Sequence, residues 1–222
     1  QDMDFPDFYV RMVDEADMID AFNYHSIEDW RRTTPGKILD STIKLKEDSA
    51  DIKWEFLRNL VRQLRDRSIE EVAAMPSVQK RYRKYKNEEE RMLEQIKEDA
   101  TFLEKDTDQK LIILDTTQHN HRPNLLKHLA YLVYPKALAV LQISNLYEHM
   151  TKTNDLSFSM SLSLNMTDNN HNKHVGDIMR ILNLGGGHPG AGAGTLHCSS
   201  KDEMQRTKDR IAKEIFDLFC EQ

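Results

Sequence analysis

The spacing of apolar positions differs between the two halves of the chain. From Asp48 to about Lys105, apolar residues recur at helical intervals with arginine and lysine between them, which predicts amphipathic helices. From about residue 107 onward, short apolar runs alternate with helical segments. The clearest run, residues 157–166, alternates Phe158, Met160, Leu162, Leu164 and Met166 with serine and asparagine. Such strict alternation predicts a strand with one buried face.

The second half contains enough of these segments for a complete domain. Strands are predicted at 111–114, 137–143, 157–166 and 193–198, and helices at 123–134, 175–184 and 202–219. Helices that alternate with strands indicate an α/β fold with a mixed sheet. The fold class predicted for the chain is therefore α/β, with a helical connector before the C-terminal domain.

The first half gives local signals for helix ends and turns. Residues 21–46 are predicted to be a connecting segment in which Ser26 caps a short helix and 33–36 form a turn. Ser68 and Glu71 have the spacing of a capping box. The basic stretch 80–86 carries two tyrosines, a pattern that can hold single-stranded nucleic acid. Because both tyrosines fall on the apolar stripe, a buried helix with a solvated basic flank is favoured instead.

Composition narrows the class of protein. The chain has 31% charged and 39% hydrophobic residues, which is compatible with a globular fold. Its net charge of −6 argues against a nucleic-acid coat protein, although a local basic patch remains compatible with binding. Cys198 and Cys220 are too few for a disulfide framework, so a cytoplasmic location is expected. No apolar run reaches the roughly 20 residues of a spanning helix, so no membrane partner is expected.

The most informative stretch runs from Gly185 to Gly194 and holds six of the eight glycines of the chain. Glycine is the costliest residue to order, so a folded chain concentrates it where bare backbone is needed. A flexible hinge is one interpretation. A nest of backbone N–H groups that accepts phosphate is the other, and His188 within the run favours this binding loop.

Known phosphate motifs do not fit this stretch. Gly185, Gly187 and Gly190 match G-x-G-x-x-G in letters, but that motif needs a strand before it and a helix after it, the reverse of the order predicted here. Pro189 also lacks an N–H donor, and no Gly-Lys-Ser/Thr follows to make a P-loop. The remaining interpretation is a helix-to-strand loop that holds a phosphate or nucleotide without cutting it.

Two further groups of residues are candidates for metal binding. The histidine pairs His119/His121 and His171/His174 lack the additional ligands of known zinc sites. Four acids crowd residues 14–20, which suits either a solvated helix start or a cation site.

The stretch Gly185–Gly194 resembles the G-G-G-H…A-x-G motif of the DHH-associated domain, the second domain of DHH-superfamily phosphoesterases. His174–Asp177 is similar to the helix start before that motif, and residues 69–76 are similar to the linker of exopolyphosphatase-like and nanoRNase-like members. Met12–Asp17 resembles the last block of the catalytic domain, whose aspartate helps bind a manganese pair. Asp17 matches that aspartate, and Asp14 competes for the role.

The resemblance implies a division of the chain and a set of site residues. It implies the end of the catalytic domain at 1–46, a helical connector at 47–106, and a substrate-binding domain at 107–222. Gly185, Gly186, Gly187 and His188 would hold the phosphate of the substrate. Where many relatives carry Ser-Arg-Ser, this chain has Ser163-Leu164-Asn165, so Asn165 becomes a candidate contact for a different phosphorylated substrate.

The resemblance also implies an activity. Relatives are metal-dependent hydrolases that cleave phosphoester or phosphoanhydride bonds with Mn²⁺ or Mg²⁺. Most of the metal-binding motifs are absent from this sequence, which begins with Gln1, so we interpret it as a piece of a longer enzyme that is inactive alone. Short RNA, a nucleotide or polyphosphate is the expected substrate, and a homodimer is compatible with the family. The alternatives are a non-catalytic nucleotide- or nucleic-acid-binding module and a domain like the one that closes alanyl-tRNA synthetases.

Overall fold

The structure is a computed structural model that describes residues 7–47, 49–121, 123–166 and 172–222, without the side chains of Asp7 and Asn165. The chain divides into two compact units, residues 1–91 and 92–222. No described helix is both long and apolar enough to cross a membrane.

The described part of the first unit is helical. Its helices are α1 (Asp7–Asp20), α2 (Ile27–Arg31), α3 (Pro35–Lys44), α4 (Ala50–Asp66), α5 (Ile69–Ala73) and the first part of α6 (Pro76–Asp99). Its core is formed by Leu39, Leu60, Ile69, Val72, Ala73 and Val78. The capping box of Ser68 and Glu71 is confirmed at the start of α5.

The turn predicted at residues 33–36 is wrong. Thr34 is the N-cap of α3, where its side chain accepts a hydrogen bond from the Lys37 N–H, and Pro35 occupies the first turn of the helix. Threonine suits the N-cap and proline suits the first turn, because the N–H that proline lacks would have no partner within the helix at that position. The structure therefore places α3 in the second half of the predicted connecting segment.

The basic stretch in α6 is part of the fold of the first unit. Tyr85 is buried, in agreement with the interpretation that the tyrosines belong to the apolar stripe. Arg81 forms an ion pair with Glu47 at 2.7 Å, and its guanidinium lies 3.8 Å from the centre of the Phe56 ring. These cations therefore have structural partners, which weakens the nucleic-acid interpretation of the stretch.

The second unit is built on a mixed sheet, and the predicted α/β fold is confirmed. Among the described residues the sheet has six strands in the order β1-β2-β3-β4-β6-β5, where β2 and β3 are parallel and all other pairs are antiparallel. The strands are β1 (Ala100–Thr101), β2 (Leu111–Asp115), β3 (Ala139–Glu148), β4 (Thr151–Leu162), β5 (Gly185–His188) and β6 (Ala191–Leu196). Its helices are the end of α6, α7 (Ala130–Val133), α8 (Val175–Ile181) and α9 (Lys201–Glu221).

The two faces of this sheet have different surroundings. Helices α8 and α9 pack on one face, which we call the helix face, through a core that includes Phe158, Met160, Met179, Ile215 and Phe219. A 3-10 turn at Lys127–Leu129 and the short α7 contribute the buried residues Leu129, Ala130 and Tyr131. The Tyr131 hydroxyl donates a hydrogen bond to the Ser161 carbonyl at 2.8 Å.

Most predicted elements of this unit are present. The predicted strands 111–114, 137–143, 157–166 and 193–198 correspond to β2, β3, β4 and β6, and the helices 175–184 and 202–219 correspond to α8 and α9. Strand β4 ends at Leu162, however, and Leu164–Met166 form a 3-10 turn where the strand was predicted to continue. The predicted helix 123–134 is present only over residues 127–133, as a 3-10 turn followed by α7, and its predicted start is wrong because Leu126 is extended. Burial of Leu129 and Tyr131, rather than helical periodicity, decides where this short helix forms.

Candidate functional site

The glycine stretch is a β-hairpin, so the prediction of a helix-to-strand loop is wrong. Strands β5 and β6 pair from Gly185↔Gly194 to His188↔Ala191, and Pro189 and Gly190 form the connection. The loop prediction rests on the concentration of glycine in one stretch, but here four of these glycines pair directly across the hairpin. Since β5 is the last strand in the order, the Gly-Gly-Gly-His segment forms an edge of the sheet.

At four of the six glycine positions in the hairpin, close packing leaves no room for a side chain. Gly185 and Gly194 pair with each other, as do Gly187 and Gly192, so all four point to the helix face. A Cβ at Gly192 would lie 3.0 Å from Met179 Cγ, and a Cβ at Gly194 would lie 2.4 Å from the Leu184 backbone. Tight packing of the hairpin against α8 and its end therefore explains these glycines without any ligand.

The other side of the hairpin is open. Gly186 pairs with Ala193, and His188 pairs with Ala191, so these residues point away from α8. A Cβ at Gly186 would meet only Arg180 Nη1, at 3.9 Å, and a Cβ at Gly190 would meet only the His188 ring, at 3.7 Å. His188 and Ala193 are exposed. The part of the stretch that packing does not explain is thus the part beside His188.

Strand β4 continues this side of the sheet with serines. Ser157, Ser159 and Ser161 pair with Thr195, Ala193 and Ala191 of β6, so they share a face with Gly186 and His188. We call this side the serine face. The alternation of serine with apolar residues in β4 predicted two distinct faces, and the structure confirms it, with Phe158 and Met160 buried in the core.

Two cations stand beside the hairpin and the serine face. Lys127 Nζ donates a hydrogen bond to Ser159 Oγ at 2.6 Å. Arg180 of α8 donates to the Gly187 carbonyl at 3.3 Å and forms an ion pair with Asp177, which holds it beside the edge strand. Sequence analysis missed both residues, because a lysine or arginine in isolation gives no signal of what it faces.

The burial of Lys127 changes its titration. Removal of the ammonium group from water lowers the pKa of Lys127 to about 8. The ammonium group is therefore costly to keep in its present surroundings, and an anion nearby would stabilise it.

The remaining predicted site residues do not join this group. Asn165 lies in a 3-10 turn at Leu164–Met166, and its side chain lies outside the described residues. Asp14 and Asp17 lie on α1 of the first unit, and both are exposed. Between them, Glu15 points inward and accepts hydrogen bonds from the Thr34 hydroxyl and the Gly36 N–H, both at 2.6 Å.

The described residues do not assemble a metal centre. No group of three or more His, Cys, Asp or Glu side chains able to hold a metal ion occurs in the part of the chain that the structure describes. Asp14 and Asp17 are exposed carboxylates on one helix, whereas a manganese pair needs several ligands around both ions. The fit of these residues to the manganese pair implied by the resemblance is therefore poor.

The histidine pairs have other surroundings. His119 Nε2 lies 2.7 Å from Asp99 Oδ2, and the Gln118 amide donates to the other oxygen of this buried carboxylate at 2.6 Å. His174 is the N-cap of α8, where Nδ1 accepts from the Asp177 N–H at 3.1 Å. His171 lies outside the described residues. His119 and His174 therefore have structural partners.

A cavity of about 510 Å³ lies elsewhere in the second unit, beside Asp115 and Lys208. Lys208 Nζ lies 2.6 Å from Asp115 Oδ2, and the other oxygen of Asp115 accepts from the Thr117 N–H and hydroxyl. The cavity is lined by three lysines, Lys105, Lys208 and Lys213, and by three acids, Glu104, Asp115 and Asp209, so its positive charges are balanced, whereas Lys127 has no carboxylate partner among the described residues.

Comparison with solved structures gives a likeness of fold. No protein-family model matches the chain, and no curated protein does. Among solved structures, the chain is similar to the pGpG-specific phosphodiesterase PggH from Vibrio cholerae, with a TM-score of 0.65 and 20% sequence identity. The likeness covers 95% of this chain and 67% of that one. At this identity it shows that the two proteins share a fold.

Proposed function

We propose that this chain is the substrate-binding portion of a DHH-superfamily phosphoesterase, and that its second unit holds the phosphate of a short RNA or nucleotide at the serine face. The observation that carries the proposal is the position of His188. It is exposed beside Gly186, on the side of the hairpin where packing does not require glycine.

The chemistry of this position suits a phosphate. A histidine N–H is a strong donor to phosphate oxygens, and the hydrogen bond becomes charge-assisted when the ring is protonated. Glycine at 186 leaves room for a ligand to approach the backbone closely. The Arg180 guanidinium beside the same strand adds positive charge. Together these groups bind and orient a phosphorylated ligand.

The likeness to PggH supports the substrate class. That protein is a phosphodiesterase specific for pGpG, a dinucleotide, and it shares its fold with this chain over 95% of the present sequence. The Gly-Gly-Gly-His segment independently resembles the substrate-holding motif of DHH-associated domains. We therefore propose pGpG, short RNA and mononucleotides as the ligands to test first.

We assign binding, and not hydrolysis, to this chain on its own. Hydrolysis with Mn²⁺ or Mg²⁺, as the family resemblance implies, needs ligands that Asp14 and Asp17 do not supply by themselves. This chain is therefore expected to bind the ligand without turnover, whereas a complete enzyme would do both.

The test titrates pGpG, a short RNA and inorganic polyphosphate into the chain by calorimetry, and then incubates each with and without MnCl₂. The expected result is saturable binding of at least one ligand without turnover. Mn²⁺-dependent turnover by this chain would overturn the assignment of binding alone. Absence of binding by all three would overturn the proposed function. Titration at two salt concentrations distinguishes binding of one phosphate from extended contact with RNA, which loses affinity more steeply with salt.

A further inference from the structure

The environment of Lys127 is unusual for a lysine. The residue is partly buried in the 3-10 turn before α7, and its ammonium group donates to the neutral hydroxyl of Ser159. Among the described residues, no carboxylate lies within ion-pair distance of it, whereas Lys208 and Lys105 of the same unit both have aspartate partners. A charge removed from water without a partner is costly, so its retention indicates a ligand of opposite charge.

A second polar group, on the same strand as Ser159, also lacks a partner. Ser161 lies two residues beyond Ser159 on β4 and therefore on the same face of the sheet. Its side chain is buried, with 3% exposure, and its hydroxyl has no hydrogen-bond partner among the described residues. Buried hydroxyls are normally paired, so an unpaired one two residues from the serine that Lys127 contacts points to a missing acceptor.

The register of the strands places these groups opposite His188. One row across the sheet reads Ser161, Ala191, His188, and the next reads Ser159, Ala193, Gly186. Two strand spacings, about 10 Å, separate β4 from β5 within each row. Only alanine methyl groups project between them from β6, so no bulky side chain separates Lys127 from His188 on this face.

We infer that Lys127, together with the hydroxyls of Ser159 and Ser161, forms a second phosphate-binding position on the serine face. The alanines of β6 separate this position from His188. This inference rests on the proposed function and narrows its substrate class. The ligand carries two phosphate groups, one at each position, as a 5′-phosphorylated dinucleotide does. The lowered pKa of Lys127 agrees with this role, because a bound phosphate compensates the buried charge.

The test compares Lys127→Met with His188→Ala, and uses Lys136→Met as the matched control. Lys136 is an exposed lysine of the same unit. Methionine keeps most of the length and the apolar stem of lysine, and it removes the charge together with the N–H donors. The ligands are pGpG, with two phosphate groups, and GMP, with one. Lys127→Met is expected to weaken pGpG binding about tenfold or more, which corresponds to the loss of one charge-assisted hydrogen bond.

The loss of affinity is expected to be several-fold smaller for GMP, because either position can hold a single phosphate. Lys136→Met should change neither affinity by more than twofold. If Lys127→Met binds pGpG like the wild type while His188→Ala does not, this inference fails and the proposed function stands. If the wild-type chain binds neither ligand, the proposed function fails.

A second measurement tests Lys127 independently of nucleotide binding. The side-chain ¹³Cε resonance of Lys127 is followed against pH by NMR, with and without inorganic phosphate. The expected result is a midpoint that rises when phosphate is present, because the anion stabilises the ammonium form. A midpoint that phosphate leaves unchanged would overturn the second position. Unfolding curves of Lys127→Met show whether the variant is folded, and a folded variant is expected because no buried charge remains.

Discussion

Gly176 of α8 lies directly against the backbone of Gly187 in β5. A Cβ at Gly176 would come within 2.4 Å of the Gly187 carbonyl oxygen, which no side chain can occupy. The neighbouring Val175 N–H donates to the Pro189 carbonyl at 3.0 Å, so α8 and the hairpin are also tied by a hydrogen bond. This close approach holds the edge strand in place and leaves His188 on the opposite face.

Gly176→Ala is therefore expected to destabilise the second unit by about 2 kcal/mol or more, because the helix or the hairpin must shift to admit a methyl group. Gly186→Ala is the matched control, since its methyl group would meet only the end of the flexible Arg180 side chain. Both tryptophans lie in the first unit, at Trp30 and Trp54, so fluorescence does not report on this change. Hydrogen exchange of the β4 and β6 amides in urea measures it. Equal stability of the two variants would contradict the packing account.

His188→Ala is expected to weaken pGpG binding about tenfold, the loss that accompanies one charge-assisted hydrogen bond, and to leave the stability of the fold within about 0.5 kcal/mol of wild type. The side chain is exposed, so its removal opens no cavity. His197→Ala is the control, because His197 is an exposed histidine that pairs with Asp155. Calorimetry gives both affinities. If the two variants lose affinity equally, the role of His188 is not specific.

The stability of the first unit depends on a buried carboxylate, so it responds to acid. Arg31 donates two hydrogen bonds to Glu89, at 2.9 and 2.7 Å, and the Glu89 side chain is only 7% exposed. Burial by itself would raise the pKa of Glu89, but the hydrogen bonds from Arg31 and Lys86 outweigh burial and hold the pKa below its ordinary value. The stabilisation is therefore present above the unfolded-state pKa and is lost as the pH falls through the lower folded-state pKa.

Glu89→Gln is accordingly expected to cost about 2 kcal/mol at pH 7, because it leaves a partly buried guanidinium without its carboxylate. The cost stays below that of a fully buried pair, since the Arg31 side chain is 32% exposed. The difference between variant and wild type should shrink between pH 5 and pH 3. Tryptophan fluorescence in urea measures it, and Glu94→Gln, at an exposed helix pair, should change stability by less than about 0.5 kcal/mol. A cost that does not depend on pH would contradict the ion-pair explanation.

The elements that could be predicted are those whose own residues decide their structure. Alternation in β4 and helical spacing in α8 and α9 reflect one buried face each, and the capping box of Ser68 and Glu71 is local by nature. The hairpin could not be predicted in the same way. Its glycines carry no hydrophobic alternation. Glycine is required there because α8 packs closely against the hairpin in the folded protein.

The residues of the candidate site also differ in whether the sequence alone identifies them. His188 was identified because its motif is continuous in the sequence, although its place on a strand was not foreseen. Lys127 was not identified, since its significance depends on burial and on Ser159, which is 32 residues away. At Thr34 the local pattern is clear but ambiguous. Thr-Pro occurs both in turns and at helix starts, and only the structure shows that it begins a helix here.

The most direct test of the central claim is to map the ligand contact by NMR. Backbone amide resonances of the ¹⁵N-labelled chain are recorded while pGpG is added. The account predicts that the largest shifts occur at Gly186, His188, Ala191, Ala193 and Ser159, with little change in α1 or α4. Shifts confined to residues outside the serine face, or no shift at millimolar pGpG, would contradict it.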